Sequence, residues 1–96
     1  MRDALLTTEQ RAVLADTLPA WIVTNQTLGR DVTAGSFLAA IDWVVAIAAA
    51  AESLDHHPDI DIRWRTLHLV LSTHSSGGLT QRDVDLAIRI DAIVGT

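Results

Sequence analysis

The chain has 96 residues, 49% of them hydrophobic, a formal net charge of -5 and no cysteine. Such a length suits one domain, spanning residues 1–96, around one modest core, and so apolar a composition argues against disorder. The acidic balance argues against binding to nucleic acid phosphates or anionic lipid, and the lack of cysteine excludes both a disulfide framework and a thiolate nucleophile, which suits a reducing cytoplasm.

The opening MRDALLTTEQ lacks a secretory pattern, because acidic and polar residues interrupt its apolar positions. Thr7 with Gln10 three residues on reads as a capping box and predicts a helix over 8–18, which Pro19 ends. Trp21, Ile22 and Val23 form a short β-prone run. Turn chemistry over 25–27 separates it from a second run over 28–32, so the pair predicts a hairpin.

Residues 35–54 carry a helical pattern that is apolar on nearly every side. Phe37, Ile41, Val44 and Ala48 make one stripe; Trp43, Ile47 and Ala50 make another. A helix hydrophobic all round must be covered all round. Asp42 interrupts the segment FLAAIDWVVAIAAAA, which falls short of the roughly 20 apolar residues of a membrane span, so no membrane association is expected. One face is expected on a sheet and the other against a second subunit, giving a homo-oligomer.

Pro58 disfavours helical geometry at His57, so the helix is expected to finish at or just before the histidine pair. Ile60, Ile62 and Trp64 then alternate with Asp61, Arg63 and Arg65. Leu67, Leu69, Leu71 and Thr73 alternate in turn with His68, Val70, Ser72 and His74. This period of two predicts a second hairpin, joined near Arg65 and Thr66. After the loop SSGG, Thr80 and Asp83 can cap a last helix with a stripe of Leu86, Ile90 and Ile93. The order α-β-β-α-β-β-α is the α+β class, a four-stranded antiparallel sheet with helices packed on one face.

The stretch LDHHPDID concentrates the chemistry. His56 and His57 stand where helix gives way to extended chain, and the open end of the second hairpin brings His74 beside them. Asp55, Asp59 and Asp83 are close enough in sequence to orient the rings. An imidazole ordinarily titrates at about 6.5 and can both give and take protons at neutral pH.

Plainer readings stand beside this one. The histidine pair can interact with the last helix carbonyls, His74 can be a polar residue at a strand end, and mid-strand His68 reads as structural. Asp83 can be only a helix cap, Arg82 a solvated charge, and Trp21 either a core anchor or one wall of a flat-ligand pocket. A metal site is disfavoured because neither HxH nor HxxxH spacing occurs. A hydrolase built on Ser75 or Ser76 with His74 and Asp83 is disfavoured because no G-x-S-x-G elbow exists. The SSGGLT loop is a weak anion cradle, since it has no P-loop lysine.

AESLDHHPDI, then a strand ending LSTH, then GGLTQRD and LAIRID together resemble the pterin-4a-carbinolamine dehydratase family, also called 4a-hydroxytetrahydrobiopterin dehydratase. The likeness extends to the LTTEQR helix, Trp21 and Arg30. It implies loss of water from a 4a-hydroxytetrahydropterin, without metal or cofactor, in dimers or tetramers that serve aromatic amino acid hydroxylase pathways. It also implies catalytic roles for His56, His57, His74 and Asp83, with Asp55, Pro58, Thr73, Ser75, Ser76, Arg82 and Trp21 binding substrate. Val32 and Ala34 replace aromatic residues common in the family, Trp43 a phenylalanine and Arg65 an asparagine.

Overall fold

In the computed structural model, which describes residues 3–95, the chain runs α1 (Thr8–Thr17), β1 (Ile22–Val23), β2 (Leu28–Thr33), α2 (Phe37–Leu54), β3 (Asp59–Arg63), β4 (Thr66–Leu71) and α3 (Gln81–Val94), with a 3-10 turn at His74–Ser76 before α3. Met1, Arg2 and Thr96, at the ends of the expected domain, lie outside the described residues. The strands form one antiparallel sheet in the order β1-β2-β4-β3. The element order is the one the periodicities predict.

Local chemistry sets the boundaries. At α1 the Thr7 hydroxyl accepts from Gln10 N–H at 3.1 Å and Gln10 Oε1 accepts from Thr7 N–H at 2.8 Å, the reciprocal pair that satisfies two otherwise orphaned donors. Ser36 caps α2 by accepting from Ala39 N–H at 3.0 Å, so the helix starts two residues later than the apolar pattern suggests. At its other end Asp55 takes the left-handed conformation and His56 N–H returns to the Ala51 carbonyl at 3.0 Å.

The core lies between the sheet and the helices. Leu28, Leu67, Leu69 and Leu71 point one way from the strands and meet Ile47 and Ala51 of α2 and Leu86, Ala87 and Ile90 of α3, all of them buried. Alternation sends Asp31, His68 and Asp61 to the opposite face, where they sit side by side on three adjacent strands.

Two expectations need correction. Trp64 does not continue the inward row of Ile60 and Ile62. Because Arg63 pairs with Thr66, the connection is the two residues Trp64 and Arg65 rather than a joint at Arg65 and Thr66. Trp64 takes a φ of 54°, the positive value such short hairpin loops use to match strand twist. That conformation turns the indole out to solvent, beneath the Arg65 guanidinium 4.7 Å from the ring centre.

The stripes of α2 also divide differently. Ala40, Ile47, Ala50 and Ala51 are buried, Ile41, Trp43 and Val44 are partly so, and Phe37, Leu38, Val45 and Ala48 face solvent. By length and hydropathy α2 could cross a bilayer. Its inner stripe nonetheless packs as a core helix does, against α3 and the sheet.

Candidate active site

Strand register assembles the site. Asp59 pairs with Val70, so the residues just before β3 and those just after β4 emerge at the same end of the sheet. Asp55, His56 and His57 therefore meet Ser72, Thr73, His74 and Ser75 there, and together with Asp3 and Arg82 they line a cavity of about 340 Å³.

The two adjacent histidines point opposite ways. Left-handed Asp55 ends α2 abruptly and Pro58 holds the backbone before it extended, so successive side chains diverge. His56 turns inward and is buried; His57 turns outward and is exposed. Each meets a carboxylate through Nε2: His56 is 2.7 Å from Asp83 Oδ1, and His57 is 2.5 Å from Glu52 Oε2.

Asp83 is the hub of the buried side. It is fully buried in the first turn of α3, where its Oδ2 accepts from Thr80 N–H at 2.9 Å and from the Thr73 hydroxyl at 2.7 Å. With the Thr73 proton committed to Asp83, the 2.8 Å contact between the two threonine hydroxyls is donated by Thr80, which in turn accepts from Arg82 N–H at 3.2 Å. A carboxylate receiving these donors also takes the proton on His56 Nε2, which leaves Nδ1 of a neutral His56 as the acceptor. The same reasoning applies to His57 and Glu52.

His74 is held differently. Its backbone begins the 3-10 turn, closed by Ser76 and Gly77 N–H groups on the Thr73 carbonyl at 3.0 Å each, and Gly77 supplies the left-handed φ of 77° that a side chain would resist. Among the described residues its ring makes no side-chain hydrogen bond, so both nitrogens remain available to a ligand.

Of the residues singled out from the sequence, His56, His57, His74, Asp55, Thr73, Ser75 and Arg82 line the cavity. Asp83 lies behind His56 rather than on the wall. Ser76 turns away to donate to the Asp3 carbonyl at 2.8 Å, and Pro58 shapes the backbone without lining the space. Trp21 stands apart from the cavity: it is buried, and its Nε1 donates to Asp91 Oδ1 at 2.8 Å, on the carboxylate that also pairs with Arg30. That is a core anchor's position.

Three contributors escape a reading of the sequence. Glu52 precedes its histidine by five residues, and only the reversal of the chain at Asp55 brings the two together. Asp3 and Ser72 reach the cavity through tertiary packing. Glu52 alone leaves a signal, as the acidic residue in the last turn before the HHP run. Among the described residues, no three His, Asp or Glu side chains are grouped to hold a metal ion.

Known proteins resemble this chain in sequence and in fold. Residues 4–93 match the family model described as pterin 4 alpha carbinolamine dehydratase. A protein of Nocardia farcinica is 53% identical over 93 residues, covering 97% of this chain and 98% of its own length. One of Mycobacteroides abscessus is 53% identical over 92 residues, covering 96% and 98%. Both are provisionally named pterin-4-alpha-carbinolamine dehydratases. Among solved structures, a transcriptional coactivator/pterin dehydratase from Brucella melitensis superposes with a TM-score of 0.89 at 28% identity, covering 96% of this chain and 100% of its own. A pterin dehydratase-like protein identified as a RuBisCO assembly factor in the alpha-carboxysome shares the fold, with a TM-score of 0.65 at 22% identity, covering 79% of this chain and 88% of its own. With a family model spanning nearly its whole length and relatives at half identity or more, the chain belongs to the pterin 4 alpha carbinolamine dehydratase family.

Proposed function

We propose that this chain removes water from 4a-hydroxytetrahydropterins, giving quinonoid dihydropterin, by proton transfer among His56, His57 and His74. The observation that carries the reading is the arrangement of three imidazoles around one cavity sized for a bicyclic ring. Two have Nε2 engaged by carboxylates, and the third is unengaged.

In the reaction the C4a–O bond breaks as a ring nitrogen lone pair moves toward C4a. The leaving hydroxyl takes a proton and departs as water, while a ring N–H gives one up. One of His56 and His57, carrying a second proton on Nδ1 while Nε2 stays with its carboxylate, donates that Nδ1 proton to the leaving oxygen. His74 positions the pterin or takes the ring proton, and Asp55, on the cavity wall, hydrogen-bonds substrate. Asp83 orients His56 without touching substrate. Every step uses side chains alone.

The exposed stripe of α2 supports association of copies as dimers or tetramers, since Phe37, Leu38 and Val45 are otherwise left to water. The reading places the protein in the cytoplasm, where it takes up the carbinolamine that an aromatic amino acid hydroxylase releases. A silent assembly module of the same fold would use that α2 stripe but has no need of three imidazoles on one cavity. The test is to follow absorbance as freshly formed carbinolamine dehydrates with and without the protein. Acceleration that His74→Ala abolishes supports the enzyme; a rate equal to the uncatalysed one supports the module.

A further inference from the structure

Asp3 and Arg82 line the cavity but take no part in the proton transfers proposed above. Arg82 Nε lies 2.5 Å from Asp3 Oδ2, and Nη1 of the same guanidinium donates to the Asp55 carbonyl at 3.1 Å. Among the described residues, Arg82 is the one Arg or Lys side chain on the cavity lining, whereas Asp3 and Asp55 both line it. The backbone holds Asp3 there. Its carbonyl accepts from the Ser76 hydroxyl at 2.8 Å, Leu5 bridges Thr80, and Leu6 N–H donates to the Leu79 carbonyl at 2.8 Å.

A guanidinium on the wall of a small-molecule site is the group an anionic substituent would engage, through a charge-assisted bond. In this chain a carboxylate already engages it. We propose that Asp3 is a specificity-determining residue: by occupying Arg82 it biases the cavity against pterins bearing a carboxylate or phosphate and toward those with uncharged substituents. The inference rests on the pterin reading above and extends it to the class of substituent.

The repulsion is Coulombic, so it requires no particular pose in a cavity of about 340 Å³. Asp3 and Arg82 are 43% and 45% exposed, so the effect is screened by salt and reaches roughly 8 Å at physiological ionic strength. A discrimination of about tenfold is the scale expected for one such charge.

The test is fluorescence titration of wild type, Asp3→Asn and Asp3→Glu with 6-hydroxymethylpterin and 6-carboxypterin, reading the ratio of the two Kd values. Wild type should favour the hydroxymethyl ligand, with a preference that shrinks as salt rises. Asp3→Asn should shift the ratio about tenfold toward the carboxylate, and Asp3→Glu should retain the preference. If Asp3 only braces the N-terminal segment, Asp3→Asn will weaken both ligands together; an unchanged ratio overturns the role. Wild type that binds neither ligand overturns the pterin reading as well.

Discussion

His56 and His57 are neighbours in sequence with the same bond to the same kind of partner, yet they differ in surroundings. The His56 side chain is 10% exposed and Asp83 is 0% exposed; for His57 and Glu52 the figures are 57% and 76%. Water can replace Glu52 as a partner for His57 at almost no cost. Nothing can replace Asp83. An exposed ion pair is worth between nothing and about 1 kcal/mol, whereas a buried donor deprived of its acceptor loses the full cost of its desolvation. On the proposed mechanism the inner arm is structural and chemical at once, while the outer arm is free to be chemical alone.

The largest effect is expected at the hub. Asp83→Ala strands the His56 Nε2 proton, the Thr73 hydroxyl and the Thr80 N–H together, and should cost about 3 kcal/mol or more in urea unfolding. Turnover of the fraction that folds should fall at least as far as in His56→Ala. His56→Ala and His74→Ala are each expected to lower kcat by about 10²-fold, the usual contribution of a positioned acid or base. A His56→Ala variant with the wild-type rate would assign the chemistry of the pair to His57 and reverse the comparison.

The inner arm was largely legible in the sequence, whereas of the outer arm His57 was legible and Glu52 was not, for a physical reason. Asp83 stands three residues after Thr80, a spacing that helix geometry itself makes meaningful, and Pro58 announces where α2 must stop. The alternation of β3 and β4 carries His74 to the same end of the sheet as the HHP run. Glu52 and Asp3 carry no such mark. Their partners are chosen by how the chain reverses at Asp55 and by how the segment ahead of α1 lies on the loop before α3, and neither is periodic. Trp64 misleads for the same reason, because a hairpin's last inward position looks like its first loop position until the register is known. Trp21 could not be assigned between core and pocket from composition, since an indole serves both; its bond to Asp91 decides for the core.

Trp21 also separates stability from catalysis. Trp21→Phe removes one part-buried hydrogen bond at a place away from the cavity lining. It should cost about 1 kcal/mol in unfolding and leave kcat of the folded protein as it is. A fall in kcat comparable to that of His56→Ala would return Trp21 to the substrate site.

The smallest effect sharpens the comparison most. Glu52→Gln keeps the length of the side chain and one acceptor oxygen for His57 while removing the charge. In an exposed setting that should move stability by less than about 0.5 kcal/mol and kcat by less than about tenfold, the low side of what one acid-base partner contributes. Asp83→Asn is the same chemical change in the buried setting. There an amide NH₂ must face either the His56 proton or the Thr73 and Thr80 donors, so a donor meets a donor with no water to separate them, and unfolding free energy should drop by about 2 kcal/mol or more. The two substitutions differ in burial and in the donors that burial gathers, since Asp83 also receives Thr73 and Thr80 whereas Glu52 meets His57. Equal losses in urea titrations of both variants would mean that burial is not what distinguishes the two histidines, and that the division into an inner and an outer arm is wrong.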